Sequence, residues 1–235
     1  MPGSPKHRIF PISDSALTID FGNVIDESIN QQVLDLFRQL QQYPVTGMTE
    51  AVPAYSSLTI YYDLFQLRKS IPAGTTVYDW MRVQLQEKLE QSSLANNGET
   101  RLITIPVCYE LEFAPDIEAL ARQKNIAVDE VIAIHSSGLY RVYMLGFLPG
   151  FCYLGEVDER IVVPRKSQPQ PVAAGSVGIA GRQTGIYPMA SPGGWQIIGR
   201  TPLKLFEAQK EQPALLMAGD TVRFTSITKN EFENY

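Results

Sequence analysis

Cysteine and histidine are scarce in this chain. Its 235 residues include only the cysteines Cys108 and Cys152 and the histidines His7 and His135. The two cysteines are far apart in sequence and no apolar leader precedes them, so we expect no disulfide framework and a reducing, cytoplasmic compartment. These residues do not have the spacing of a zinc site. We therefore predict a cytoplasmic protein without a bound metal.

Long hydrophobic runs and an excess of basic residues are also missing. The longest uncharged stretch, residues 142–155, is interrupted by glycine and proline, so no membrane span is expected. The formal net charge of -5 repels nucleic acid and anionic lipid. With 44% hydrophobic and 19% charged residues, the composition is that of a globular protein of two modest domains. Nucleic acid and membrane are not expected as partners.

Motifs of several common enzyme classes are absent. The chain has no Gly-Lys-Ser or Gly-Lys-Thr, which excludes a P-loop ATPase, and the glycines of residues 175–181 do not have the spacing of a dinucleotide-binding loop. Residues 174–178 approximate the nucleophile elbow of serine hydrolases. That family needs a histidine after the nucleophile, and the last histidine of this chain is His135.

The order of apolar patterns predicts an α+β fold in two domains. Residues 1–95 have the pattern of two strands, a helix, two strands and a helix (ββαββα), and Asp26 is placed to cap the first helix. Residues 92–100 are polar and turn-forming, which predicts a linker. Residues 101–235 begin with a strand, and their segment 146–199 alternates Gly- and Pro-rich turns with short β-branched and aromatic runs. This alternation predicts a β-barrel or sandwich.

Acidic residues are missing from one long segment. Residues 160–206 contain no Asp or Glu, although the whole chain has 25. The cations of this segment are Arg160, Arg165, Lys166, Arg182, Arg200 and Lys204. Because arginine binds an oxyanion through two parallel hydrogen bonds and glycine lets backbone N–H groups approach closely, the segment predicts a carboxylate or phosphate site. The alternative, solvated surface charges on loops, is equally compatible with the sequence.

Two further features have more than one interpretation. His135 could act as an acid, a base or a donor in a site, or it could be a hydrogen-bonded histidine of the core. Aromatic residues are concentrated around the cation-rich loops, and each is individually more typical of a core than of a ligand platform. They are Phe147, Phe151, Tyr153, Tyr187 and Trp195.

Four ordered motifs carry a family resemblance. They are LGFLPGFCYLG at residues 145–155, VPR at 163–165, AGSVGIAGRQTGIYP at 174–188 and SPGGWQIIGRTP at 191–202. Together with the closing AGDTVRF at residues 218–224, they resemble the KipI family, also called the B subunits of 5-oxoprolinase (PxpB) or allophanate hydrolase subunit 1. The resemblance covers nearly the whole chain.

The resemblance implies both a fold and an assembly. The fold is a small N-terminal α/β domain in residues 1–95, followed by a cyclophilin-like β-barrel in residues 101–235. The implied partners are a companion C subunit, of the KipA or allophanate hydrolase subunit 2 type, and the A subunit of 5-oxoprolinase. Together these open 5-oxoproline to glutamate with ATP, so the chain is expected to be part of an amide (lactam) hydrolase and to be inactive alone. The alternative is a non-catalytic inhibitor of a sporulation-type histidine kinase.

Matched position by position, the resemblance also implies a pocket. Its implied catalytic residues are His135 and Tyr187, and its implied substrate-binding residues are Pro149, Phe151, Tyr153, Arg165, Gln183, Thr184 and Arg200. Since 5-oxoproline carries one carboxylate and a stable lactam, its site needs a cation and several hydrogen-bonding groups. We assign Arg165 to the carboxylate, and His135 and Tyr187 to proton transfer or donation. Arg182 occupies a variable position of the family pattern and Glu156 stands where the family often has glycine, so the roles of both stay open.

Overall fold

The computed structural model describes residues 7–92 and 100–235. The chain divides into two compact units, with the boundary between Glu99 and Thr100. Apart from its end residues, the predicted linker at 92–100 lies outside the described residues. Within those residues, no helix has the length and apolar character needed to cross a membrane.

The first unit is an antiparallel sheet with helices on one face. Its elements are β1 (Arg8–Ser13), β2 (Ala16–Asp20), α1 (Glu27–Gln42), β3 (Met48–Pro53), β4 (Ser57–Tyr62), α2 (Leu64–Ser70) and α3 (Val77–Ser92). The strand order is β1-β2-β4-β3. Alternate residues of the central strands, such as Leu17 and Ile60, are buried against α1 and α3 because successive side chains of a strand point to opposite faces.

Two helices of this unit begin at capping side chains. The Asp26 carboxylate accepts from the backbone N–H of Ile29 at 2.9 Å, which caps α1 as predicted. The backbone N–H of Asp79 donates to the Thr76 hydroxyl at 3.0 Å, at the start of α3. The short helix α2 is absent from the ββαββα prediction. Only Leu67 of its residues is buried, so it has no helical periodicity to detect.

The second unit is a closed β-barrel, which confirms the predicted fold class. Its strands are β5 (Leu102–Cys108), β6 (Leu139–Leu145), β7 (Cys152–Gly155), β8 (Gln170–Val172), β9 (Ser176–Ala180), β10 (Gln183–Ile186), β11 (Ser191–Gly193), β12 (Gln196–Arg200) and β13 (Thr221–Ile227). Its helices are α4 (Ile117–Lys124), α5 (Val128–Ser137), α6 (Lys229–Glu233) and a 3-10 turn (Glu159–Ile161). The barrel order is β10-β7-β6-β13-β5-β12-β9, and β8 and β11 form a separate two-stranded ribbon.

Each barrel strand sends alternate side chains inward and outward. Cys152 and Leu154 of β7 and Ile186 of β10 belong to the main core inside the barrel. A second apolar cluster, which we call the outer cluster, lies on the outside of the same wall. It consists of Phe151, Val172, Ala180, Tyr187, Trp195 and Ile197. Since Val172 is part of the ribbon, the ribbon packs over the outside of the wall formed by β7, β10 and β9.

Candidate functional site

A pocket opens on the outer face of the barrel, over the outer cluster. It has a volume of about 250 Å³. It is lined by Phe147, Phe151, Tyr153, Arg165, Pro169, Ala180, Gln183, Tyr187, Pro192, Gly193, Gly194 and Trp195. This volume lies just below the usual range of ligand sites and suits a molecule of one ring.

Aromatic rings form the apolar wall of the pocket. The ring of Phe151, which is 1% exposed, lies at its centre. It makes edge-to-face contacts with Tyr153, Tyr187 and Trp195, at centroid distances of 4.8, 5.1 and 5.5 Å. Rings in this arrangement hold one another in place and leave a rigid apolar surface for a ligand. Phe147, at the rim, is 63% exposed and has a positive φ of 70°, a conformation that is costly for an aromatic residue.

Two glycines allow these rings to lie where they do. A Cβ on Gly193 would overlap the hydroxyl of Tyr187. A Cβ on Gly185, in β10, would lie 2.9 Å from the Trp195 ring. The backbone therefore approaches both aromatic side chains more closely than any other residue type would permit.

Arg165 provides the positive charge of the pocket. Among the residues that the structure describes, no acidic side chain forms an ion pair with it, and none lines the pocket. Burial raises the pKa of the Tyr187 hydroxyl, opposed by a hydrogen bond from the Trp195 backbone and by the charge of Arg165. Burial likewise raises the pKa of Tyr153, again opposed by Arg165. Both hydroxyls therefore stay protonated at neutral pH beside an unneutralised guanidinium.

Other cations of the acid-free segment are paired with acids from outside it. Lys166 Nζ lies 2.6 Å from the Asp116 carboxylate. Arg160 pairs with Asp158 at 2.9 Å. The surface-charge interpretation fits the exposed Arg160, whereas Lys166 forms a partly buried ion pair. Both cations are neutralised by protein carboxylates. Arg165 is the cation of this segment that lines the pocket, so we assign the predicted anion site to Arg165.

The two residues whose roles the resemblance leaves open contact each other. Arg182 Nη2 lies 2.9 Å from Glu156 Oε2, and Arg182 also pairs with Glu159. The pair is exposed and neither residue lines the pocket. Arg182 is therefore accounted for by Glu156 and its neighbour, without a ligand.

The structure brings some predicted site residues together and separates others. Those that line the pocket are Phe151, Tyr153, Arg165, Gln183 and Tyr187. Pro149 is exposed in the turn between β6 and β7 and does not line the pocket. Arg200 does not line it either, because its Nε donates to the carbonyl of Ala174 at 2.8 Å and its guanidinium lies over the Phe232 ring.

His135 and Thr184 lie inside the barrel, and both are 0% exposed. The Thr184 hydroxyl donates to the carbonyl of Gly178 at 3.0 Å, so it can only accept from His135 Nε2, which lies 3.0 Å away. His135 Nδ1 must then accept from the hydroxyl of Tyr109, at 2.8 Å. The imidazole is thus a neutral ring with both nitrogens occupied.

The electrostatics of the interior agree with a neutral histidine. Burial lowers the pKa of His135 to about 3. Burial also holds the pKa of the Tyr109 hydroxyl well above its ordinary value, so that it remains a donor. The placement of His135 and Thr184 in the pocket is therefore not supported, because alternation along β10 turns Thr184 inward when Gln183 faces outward.

The sequence interpretation also missed several residues of the pocket. Trp195 and Phe147 line the pocket, although the resemblance does not imply them as site residues. Pro169 and the run Pro192-Gly193-Gly194 are loop or ribbon residues, and their contribution depends on the ribbon folding over the barrel wall. For residues 192–194, the SPGG motif is the signal that the sequence offers. Within the described residues, no three His, Cys, Asp or Glu side chains come together as metal ligands would.

Comparison with known proteins gives consistent matches. A family model described as carboxyltransferase domain, subdomain C and D, matches residues 7–216. The B subunit of 5-oxoprolinase from Bacillus subtilis is 43% identical over 98% of this chain and 97% of its own length. The B subunit of 5-oxoprolinase from Haemophilus influenzae is 39% identical over 92% of this chain and 96% of its own length. Among solved structures, TTHA0988 matches with a TM-score of 0.77 and 35% identity, covering 90% of this chain and 40% of that chain.

Proposed function

The chain belongs to the family of carboxyltransferase domains, subdomains C and D, and we propose that within it the protein is the B subunit of an ATP-dependent 5-oxoprolinase that converts 5-oxoproline to glutamate. The similarity to such B subunits along nearly their whole length supports this assignment. The observation that carries it in this chain is the guanidinium of Arg165, which has no acidic partner among the described residues and lies in a pocket sized for one ring.

In this proposal the pocket contacts three parts of the substrate, which are its ring, its carboxylate and its lactam group. The five-membered ring lies against the aromatic wall around Phe151. The carboxylate accepts two hydrogen bonds from Arg165, which is the arrangement that guanidinium and carboxylate geometries favour. The lactam group faces the side-chain amide of Gln183 and the hydroxyl of Tyr187. Because Tyr187 stays protonated, it acts as a donor to the lactam oxygen, where negative charge develops when the carbonyl carbon is attacked.

The reaction itself breaks the ring C–N bond. The carbonyl carbon takes an oxygen from water, and the ring nitrogen takes a proton and becomes the amino group of glutamate. A lactam resists this hydrolysis, and ATP supplies the phosphoryl transfer that drives it in the assembled complex. This chain contributes substrate binding and charge stabilisation, and His135 supports the wall from inside the barrel without touching the substrate.

The proposal includes partner subunits. We assign the other parts of the site to a C subunit, of the KipA or allophanate hydrolase subunit 2 type, and to the A subunit of 5-oxoprolinase. The match to TTHA0988 supports a partner, since this chain covers only 40% of that longer chain. The chain has no P-loop, and its pocket lacks a carboxylate or histidine placed as a general base among the described residues. We therefore expect no ATP hydrolysis by this chain alone.

Glutamate release tests the proposal. The A and C subunits with ATP and 5-oxoproline should form glutamate only when this chain is added, and the chain alone should form none. Tyr187→Phe should lower the rate while leaving complex assembly intact. If the A and C subunits form glutamate equally well without this chain, the proposal is wrong, and inhibition of a histidine kinase becomes the function to test.

A further inference from the structure

We propose that Asp116 and Lys166 are positioning residues that hold Arg165 at the wall of the pocket, an inference that rests on the proposed function. Arg165 lies between the 3-10 turn (Glu159–Ile161) and β8, in a segment with no helix or strand of its own. Its one β-type hydrogen bond is an isolated bridge, in which the backbone N–H of Gly181 donates to the carbonyl of Val163 at 2.6 Å, and none of the described residues extends that bridge to Arg165 itself. Its geometry must come from specific contacts made by the residues on either side of the arginine.

Those contacts are present on both sides of Arg165. Before it, the carbonyl of Pro164 accepts from the side-chain amide of Gln196 at 3.2 Å. After it, the backbone N–H of Lys166 donates to the carbonyl of Gly194 at 2.7 Å. Both bonds join the segment to residues 194–196, which include the Trp195 wall of the pocket. The arginine therefore lies between two attachment points on the same edge.

The ion pair between Lys166 and Asp116 extends this attachment to a third element. Lys166 Nζ lies 2.6 Å from Asp116 Oδ2, and the two side chains are only 22% and 17% exposed. Partial burial makes this pair stronger than an ordinary surface ion pair. The same Asp116 oxygen accepts from the backbone N–H of Ile197 at 2.6 Å, and the backbone N–H of Asp116 donates to the carbonyl of Ile197 at 3.0 Å.

Asp116 stands at the N-cap position of α4, where an aspartate commonly caps the helix. Its side chain makes no capping hydrogen bond there. Its carboxylate is committed instead to Ile197 and Lys166, so it joins the start of α4, the start of β12 and the arginine segment. This use of a capping residue indicates that the junction has a role of its own.

The junction determines where the guanidinium lies. A Cβ added to Gly194 would be 3.6 Å from Arg165 Nε. The guanidinium group therefore lies beside the backbone of Gly194, the residue whose carbonyl accepts from the backbone N–H of Lys166. Two parallel hydrogen bonds to a carboxylate tolerate little displacement, and a shift of about 1 Å in a binding group can cost up to 100-fold in rate. Loss of the ion pair should therefore weaken substrate binding by displacing the guanidinium of Arg165.

The test uses the assembled complex and steady-state kinetics with 5-oxoproline. Lys166→Met and Asp116→Asn should each lower kcat/KM by about 5- to 20-fold, mostly through a higher KM, as expected when a binding group is misplaced. Lys166→Arg should restore most of the loss because it keeps the charge. The matched control is Lys204→Met, an exposed lysine of the same acid-free segment, which should behave as wild type.

The same variants in an Arg165→Ala background separate this inference from the proposed function. If Asp116 and Lys166 act through Arg165, Lys166→Met should change kcat/KM less than about 2-fold in that background. An equal loss with and without Arg165, or no loss in either Lys166→Met or Asp116→Asn, overturns the positioning role while the proposed function stands. If Arg165→Ala itself has wild-type kinetics, both fail. Should Lys166→Met not fold, Asp116→Asn carries the same comparison.

Discussion

The inner and outer faces of one barrel wall have opposite polar organisation. Inside the barrel, both ring nitrogens of His135 and the hydroxyl of Thr184 have hydrogen-bond partners. The last hydrogen bond of this series runs from Thr184 to the backbone carbonyl of Gly178. Outside, Arg165 lies in a pocket with no acidic partner among the described residues. The polar side chains of the interior are thus paired by the protein itself, whereas the charge of Arg165 in the pocket is left for a ligand to pair. The neighbours Gln183 and Thr184 thus serve different purposes within one strand.

The first prediction concerns the loss of the buried hydrogen bonds of His135. His135→Ala removes a large buried ring and leaves Tyr109 and Thr184 without their partner. We expect the free energy of unfolding to fall by about 3 to 5 kcal/mol, from the cavity and the unsatisfied groups together. Urea denaturation measures it. The matched control, His7→Ala, is expected to change it by less than about 0.5 kcal/mol, and a similarly small change for His135→Ala would contradict the account.

The second prediction uses pH to expose the same interior. The unfolded chain binds a proton at His135 below its ordinary pKa of 6.5, whereas the folded chain does so only near pH 3. Stability is therefore complete above pH 6.5 and decreases as the pH falls towards 3. Between pH 6.5 and 5.0 the free energy of unfolding should drop by about 1.5 to 2 kcal/mol. His135→Gln should lack this drop, and an unchanged slope would show that another group titrates.

These two faces also mark what could be predicted from the sequence. The fold class, the cap at Asp26 and the glycine-rich barrel follow from local patterns. The resemblance implies Phe151, Gln183 and Tyr187, which line the pocket, but also Thr184, which faces the interior. Thr184 could have been separated from Gln183 by strand alternation alone. By contrast, the pairing of Lys166 with Asp116 joins residues 50 positions apart, and no local pattern reveals such a pair.

The third prediction disturbs the outer face. Gly193→Ala places a methyl group on the Tyr187 hydroxyl, so the ring must move out of the pocket wall. We expect a loss of about 1 to 3 kcal/mol in stability, as for other overpacked sites, together with a loss of glutamate formation. The neighbouring variant Gly194→Ala, whose added Cβ makes only ordinary contacts, should lose less than half as much stability. Equal effects would mean that the Tyr187 contact is unimportant.

The smallest effect is expected away from both faces. Arg182→Ala breaks the exposed pair with Glu156, and exposed pairs contribute little to stability. Neither the urea midpoint nor the rate of glutamate formation should change beyond experimental error. A clear loss of activity would place Arg182 in the functional machinery and would show that the pocket is larger than the residues around Phe151.

The central claim is that Arg165 binds the carboxylate of the substrate. The direct test compares 5-oxoproline with its neutral amide, 5-oxoprolinamide, as ligands of the assembled complex, using wild type, Arg165→Ala and the control Arg160→Ala. Arg165→Ala should weaken the binding of 5-oxoproline by about 10- to 150-fold, which corresponds to a charge-assisted contact of about 1.5 to 3 kcal/mol. It should weaken the binding of the amide by less than about 2-fold. Equal weakening of both ligands, or of neither, would contradict the account.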